Sequence, residues 1–497
     1  MKVNKYLSES GYLFVILFGV ALYFQQSWVP GFFLDGYLYA AFAKHGAEGG
    51  YWLVPHLSHT TYTDFPVHPP FIFSLNGLFF KAFGTSYSAA RIFGGLFSFT
   101  CLISLIKMVR KHGNDQWAFL TGLLFVCIPP LIKKTRFPNL DAPLMLFVFL
   151  SLSFYYDAFK KEKKSSWILC GIFFGLAMLT KGPMGGLVPL GIISHLIATK
   201  SLKRIWTFTP WFSLLLGFLI FSIWPISLYL NGYSETFDWY IKTTFKFTMI
   251  EGRGVTKFNL FDYLIFLLKQ TGPWLLLSFF SIKLLIKERK DGLHLFGTCI
   301  FFSLLVLLSI PKFKYSNYLL PLYPFYAMTA AYALNSLLKE GWFEKVRKGT
   351  MYLFLLTSLT LLIFPLTTKT RRDKVIHKSL EITKGLKKQP NVWVTIDSSY
   401  SFFALANLIG FEIDGEVVNK DLNWLKSYLS GDAELKFKSE SAIDWSNKEF
   451  IFLLRKTDFE KIKSIVNNKL VSIVYFKAKD LILLVRKENF NVEGLTY

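Results

Sequence analysis

Carboxylates and cations stand at the ends of long apolar runs in this chain. Asp35 lies in "GFFLDGYLYAAFAKHG", Asp64 and His68 in "YTDFPVHPPF", and Asp141 in "RFPNLDAPLMLF". Lys181 follows in "LTKGPMGG", Arg253 in "MIEGRGVTKF", and Lys312 and Lys314 in "IPKFKYSNYLLPLYP". Ionisable groups at membrane depth are costly, so each is a candidate for function. Beside apolar walls they would suit a lipid-borne phosphate, with cations to hold the phosphate, a carboxylate to take a proton and grooves for the tail. Each also has a plainer reading. Asp35 and Asp141 stand where a helix N-cap would stand. Lys312 and Lys314 stand where lysines snorkel to head groups. His68, between prolines, is where a histidine packs or bonds backbone.

The elements that must position these residues are membrane spans. Of 497 residues, 52% are hydrophobic and only 18% are charged, too few for a water-soluble chain of this length. Several runs approach or exceed the roughly 20 apolar residues that cross a hydrocarbon core. Candidate spans fall near 10–30, 86–109, 116–134, 140–159, 165–180, 184–199, 206–230, 263–287, 293–310, 315–338 and 349–367. The expected fold class is therefore a polytopic α-helical membrane protein with about 11 transmembrane helices. The excess of 56 Lys+Arg over 33 Asp+Glu does not indicate nucleic acid, because the basic clusters sit at the ends of spans. Cys101, Cys127, Cys170 and Cys299 all fall inside apolar runs, which indicates neither a disulfide framework nor a thiolate metal site.

The connections alternate in character. "KMVRKHGND", "KKEKKSS", "TKSLKR", "KERKDG" and "KEGWFEKVRK" are short and basic, and the N-terminus with Lys2 and Lys5 belongs with them. The positive-inside rule makes this set cytoplasmic. The first run, which lacks an A-x-A-like cleavage site, is expected to be an uncleaved anchor. Long loops at 31–85 and 231–262 then face outward, as do all the residues named above. "FIFSLNGLFFKAF" is too short to cross and reads as an interfacial or re-entrant segment. Beyond residue 368 the composition becomes that of a soluble domain. "NVWVTID", "EFIFLLRK" and "LVSIVYFKAKDLILLVRK" read as strands, and "FEKIKSIVNN" as an amphipathic helix. Two domains are expected, a membrane domain over 1–368 and an outer α/β domain over 369–497.

In order along the chain, these segments resemble a known family. "LDGYLYAAFA" opens the first outer loop with Asp35, and Gly36 stands where a second acid often occurs. "YWLVP", "DFPVHPPF", Arg91 in "AARIFGGLFS", "LDAPLMLFVFLSL", "TKGP" and "K…YLLPLYP" follow. From Asp35 to Pro324 the chain is similar to the multi-spanning glycosyltransferases of the C fold, in the branch of protein O-mannosyltransferases and ArnT-like lipid A aminoarabinose transferases. That resemblance implies transfer of a sugar from a polyprenyl-phosphate carrier to a lipid A, glycan or protein acceptor. It also implies the extracytoplasmic face of a bacterial inner membrane.

The resemblance makes Asp35 the candidate base, or a positioning group if the acceptor is already anionic. Asp141 would orient the acceptor or a cation. Lys181, Arg253, Lys312 and Lys314 would hold the donor phosphate, and Tyr318, Asp64 and His68 would line the site. The prolines of "YTDFPVHPPF" would stiffen a wall over the membrane surface. No cofactor is expected. A divalent ion between Asp35 and Asp141 is the one metal reading, and it is not favoured. Two other functions remain open, a transporter or flippase of lipid-linked saccharides and a scaffold without chemistry. A transporter would usually show a repeat with interrupted helices in both halves, and none is found.

Overall fold

The computed structural model describes residues 2–32, 34–134, 136–161, 163–245, 261–288, 292–311, 314–339, 341–364 and, with short gaps, 380–430, 449–476 and 480–486. Arg253 and Lys312 lie outside the described residues. The helices begin with α1 (Lys2–Phe24), α2 (Leu34–Gly49), α3 (Phe71–Phe83), α4 (Tyr87–His112), α5 (Asp115–Val126) and α6 (Pro129–Lys134). Then come α7 (Asp141–Lys161), α8 (Lys164–Lys181), α9 (Leu187–Ala198), α10 (Phe208–Leu230) and α11 (Ser234–Phe245). The last helices of this part are α12 (Asp262–Thr271), α13 (Leu275–Glu288), α14 (Leu293–Ser309), α15 (Tyr323–Leu337) and α16 (Trp342–Ile363).

The chain divides into two compact units, one of Met1–Trp28 with Pro66–Thr367 and one of Val29–Phe65 with Thr368–Tyr497. The sequence places the whole first outer loop with the membrane domain. In the structure its first half, Asp35 and Asp64 included, packs with the C-terminal residues.

The first unit is helical. Among the described residues, Tyr87–His112, Asp141–Lys161, Lys164–Ala198, Phe208–Leu230 and Asp262–Ile286 are long and apolar enough to cross a membrane. Helix α7 packs against α4, α8 and α9, and α8 against α10. Along α10 the large side chains Trp211, Leu215, Leu219, Ile223 and Ile226 are all exposed. An apolar stripe of that kind at helical spacing is what a lipid-facing helix presents.

Several spans differ from their expected form. The run 116–134 is not one helix, because α5 ends at Val126 and α6 starts afresh at Pro129. The Pro129–Pro130 pair lacks the N–H groups that would continue the ladder. The run 263–287 is α12 and α13 joined by the 3-10 turn Gly272–Trp274, and 315–338 opens as the 3-10 segment Ser316–Leu322. The 13 residues of α3 span about 20 Å and are too short to cross.

The second unit holds a five-stranded sheet in the order β2-β1-β3-β5-β4, built from β1 (Val392–Ile396), β2 (Glu416–Lys420), β3 (Phe450–Arg455), β4 (Leu470–Phe476) and β5 (Leu481–Arg486). Strand β1 runs parallel to β2 and β3, with Val394 between Val418 and Phe452, while β5 is antiparallel to β3 and β4. Helices α17 (Phe402–Glu412) and α18 (Leu422–Ser430) make the β1–β2 and β2–β3 crossovers that parallel strands require. The expected single helix in "FEKIKSIVNN" is two short ones, α19 (Lys456–Glu460) and α20 (Lys463–Lys469). Val466 of α20 and Ile462, between the two helices, join Val394, Phe452, Leu454 and Leu484 in the core.

Candidate active site

The membrane unit gathers Asp141, Lys181 and Tyr318 at one end of the α7–α8 hairpin. The turn ahead of α7 is built by Asn139, whose Oδ1 accepts from the Ala142 amide at 2.8 Å. Its Nδ2 donates back to the carbonyls of Lys134 and Phe137, at 2.9 and 2.8 Å. Asn139 therefore does the capping that the sequence offered to Asp141. The carboxylate of Asp141, the buried first residue of α7, accepts from the ammonium of Lys181. A carboxylate there also lies in the favourable field of the helix N-terminus.

Lys181 is the last residue of α8, and what aims it is the turn that follows. Gly182 has φ +52°, and a Cβ there would lie 1.8 Å from the hydroxyl of Tyr240. No other residue fits, so the chain leaves α8 sharply into the 3-10 turn Gly182–Gly186 with Pro183 in its first positions. The Lys181 ammonium sits 4.8 Å from the ring centre of Tyr318, a cation–π distance.

Lys314 lies close in the chain to Tyr318 and is 3% exposed. Its ammonium donates to the Pro311 carbonyl at 2.7 Å and lies 6.0 Å from the ring centre of Tyr263. The Tyr263 hydroxyl bonds the backbone of Tyr315, donating to its carbonyl at 3.1 Å and accepting from its amide at 3.2 Å. The other protons of that ammonium are left for a further acceptor. His68 is half-buried in the bend before α3.

Arg136 was not singled out from the sequence. It is 1% exposed and donates to the Gln25 carbonyl, while Arg91 donates to its carbonyl at 2.6 Å. Burial, with Arg91 alongside, pulls the Arg136 guanidinium down to about 10. Arg136 thus pins the turn carrying Asn139 and Asp141 to the end of α1. Its only signal was an arginine in an outer loop that breaks the charge bias.

Asp35 and Asp64 belong to the second unit, both exposed, Asp35 in the first turn of α2. That helix is held by Tyr37 and Phe32, whose rings pack at 6.3 and 5.5 Å from Phe411, and by Lys44, which donates to the Phe411 carbonyl at 3.1 Å. Gly410 lets α17 approach closely, since a Cβ there would meet Leu57 at 2.6 Å. Glu416, at the start of β2, takes the amides of His59 and Thr60 at 2.9 and 3.0 Å and the Thr60 hydroxyl at 2.6 Å. His56 stacks on Tyr51 at 4.4 Å, and burial lowers its pKa, with His45 and His59 adding to the effect. Among the described residues no three His, Cys, Asp or Glu side chains converge as metal ligands would.

A profile of the dolichyl-phosphate-mannose-protein mannosyltransferase family matches residues 67–226, which include α7, α8 and the turn between them and α9. The chain is 27% identical over 323 residues to a protein of Aquifex aeolicus, covering 65% of this chain and 62% of that one. It is 26% identical over 354 residues to the undecaprenyl phosphate-alpha-4-amino-4-deoxy-L-arabinose arabinosyl transferase of an Enterobacter species, covering 67% and 61%. ArnT of Cupriavidus metallidurans bound to undecaprenyl phosphate superposes with a TM-score of 0.73 over 95% of this chain and 96% of that one, at 12% identity. The chain is ArnT-like, with the C fold. The ArnT-like chain spans about three-fifths of the length of the curated relatives it matches, 62% and 61% in the two given. The family resemblance read from its ordered motifs is borne out.

Proposed function

We propose that the chain transfers a glycosyl group from a polyprenyl-phosphate-linked sugar to a lipid A, glycan or protein acceptor on the extracytoplasmic face of a bacterial inner membrane. The observation that carries this reading is the buried Asp141–Lys181 pair against Tyr318. Its relative with the same fold was solved with undecaprenyl phosphate bound.

The chemistry is an in-line displacement at the anomeric carbon. The bond to the phosphate oxygen breaks while a bond to the acceptor oxygen forms, and negative charge grows on the departing phosphate. Lysine ammonium groups held in advance stabilise that charge without reorganising during the step. Lys181 is held by a carboxylate and a ring, and Lys314 by a carbonyl and a ring. In this reading Asp141 orients Lys181, and Asp35 takes the acceptor proton or positions an anionic acceptor. The N-terminus is cytoplasmic and the C-terminal residues are outside.

The test is to incubate the purified protein in lipid with a panel of polyprenyl-phosphate sugars and measure free polyprenyl phosphate by mass spectrometry, beside Asp35→Asn and Lys181→Ala. Release that depends on both residues supports the reading and names the donor. No release from any donor, with crude envelope acceptors present, overturns it.

A further inference from the structure

The other end of the α7–α8 hairpin carries a second site of a different kind. By helix rise, Lys161 at the end of α7 lies about 30 Å from Asp141, one hydrocarbon thickness away. There a cavity of about 250 Å³ is lined by Lys111, Lys161, Lys163, Ser165, Ser166 and Asp157. Phe154 and Leu169 complete it with apolar surface.

The polar lining is built for an anion. Asp157 is already neutralised, accepting from Lys111 and from His112 Nε2, each at 2.5 Å. Lys161 and Lys163 are exposed, and their ammonium groups make no hydrogen bond or ion pair among the described residues. The 18-residue helix α8 starts here with no side-chain cap and no acidic residue in its first turn. The Ser166 amide is taken by the Lys163 carbonyl at 3.0 Å, which leaves the Lys164 and Ser165 amides of the first turn without intrahelical acceptors. Such a terminus attracts phosphate through both its N–H groups and its dipole. A second observation points to a ligand independently. Ser166 is 6% exposed, lines the cavity, and its hydroxyl has no hydrogen-bond partner among the described residues. An unpartnered hydroxyl on a buried residue that lines a cavity is normally satisfied by whatever fills it.

We propose that this cavity binds a phosphate group, that of an anionic phospholipid whose acyl chains lie along Phe154 and Leu169. The phosphate takes the Lys164 and Ser165 amides and the Ser165 and Ser166 hydroxyls, and Lys161 and Lys163 neutralise it. Position at the end of the spans favours a lipid head group over a soluble phosphate. The site is separate from the sugar-transfer reading and stands or falls without it.

The experiment is native mass spectrometry of the full chain in neutral detergent, titrated with short-chain phosphatidylglycerol, with phosphatidylcholine, and with inorganic phosphate as competitor. The expected result is one phosphatidylglycerol retained in preference to phosphatidylcholine, with affinity about tenfold weaker in Lys161→Gln/Lys163→Gln. Ser166→Ala, which keeps the fold with one atom removed, should weaken it about threefold. Displacement by inorganic phosphate, with no preference between the two lipids, would keep the anion site and assign it to a soluble phosphate. Equal retention of both lipids in wild type and variants, undisturbed by phosphate, would overturn the proposal.

Discussion

Lys181, the last residue of α8, donates to the carboxylate of Asp141, the first residue of α7, across the open end of an antiparallel hairpin. Both side chains are nearly buried, at 12% and 11% exposure. Removing one partner leaves the other charge uncompensated. Asp141→Asn or Lys181→Met alone should each destabilise by about 3 kcal/mol, and the double variant by less than either. Thermal unfolding in detergent checks this, and additive losses would show that the pair does not act as a unit.

On turnover the same two residues should behave alike. Asp141→Asn and Lys181→Ala are each expected to lower polyprenyl phosphate release by roughly 100-fold, the scale for a positioned charge at a developing anion. The double variant should be hardly worse than either single one. A multiplied loss would assign the residues independent roles.

In the proposed reading, which assigns the donor phosphate to Lys181 and Lys314, Asp35→Asn is expected to abolish turnover while donor binding survives. Asp35 is exposed on the first turn of α2, and thermal unfolding of the variant in detergent separates a loss of turnover from a loss of fold. Binding lost together with turnover, with unfolding unchanged, would move Asp35 from the base to the donor site.

Glu416 accepts three hydrogen bonds from His59 and Thr60 and is 9% exposed. Glu416→Ala strands two amides, while the Thr60 hydroxyl keeps the Val417 carbonyl at 3.1 Å, and should destabilise the second unit by about 2–4 kcal/mol. Hydrogen exchange at residues 57–62 reads this directly. Unchanged protection there would mean that the loop is held by Leu57 against Gly410 rather than by the carboxylate.

His56 gives a pH dependence whose sign follows from burial. Its folded pKa is below the ordinary 6.5, so below that pH the unfolded state binds more protons than the folded one. Stability of the second unit is whole above pH 6.5 and declines as pH falls beneath it. Comparing unfolding of the wild type and His56→Gln between pH 7 and pH 5 checks this, and the variant should show the smaller decline.

Much of this protein was legible in one dimension. The membrane class follows from run length and composition, because the bilayer demands long apolar segments whatever they pack against. The family resemblance came from motifs whose residue types are fixed locally, such as Gly182, where only glycine tolerates the backbone turn and the approach of Tyr240. The strands at 392–396, 450–455, 470–476 and 481–486 were readable because β-branched and aromatic runs mark them.

The rest needed tertiary structure. Asp141 beside a helix end looks like a cap in any sequence. That Asn139 takes the cap and frees Asp141 for Lys181 depends on where α8 ends, 40 residues later. Arg136 looks like a stray basic residue until the Gln25 carbonyl closes on it from 111 positions away. The loop bearing Asp35 looks like part of the membrane domain, yet its partners, Phe411 and Glu416, lie more than 300 residues downstream. The sequence alone determined solvent class and local backbone, since these depend on neighbouring residues and on the bilayer. Which charges are paired, and which element holds which loop, was decided by contacts between distant segments, which exist only once the chain has closed on itself.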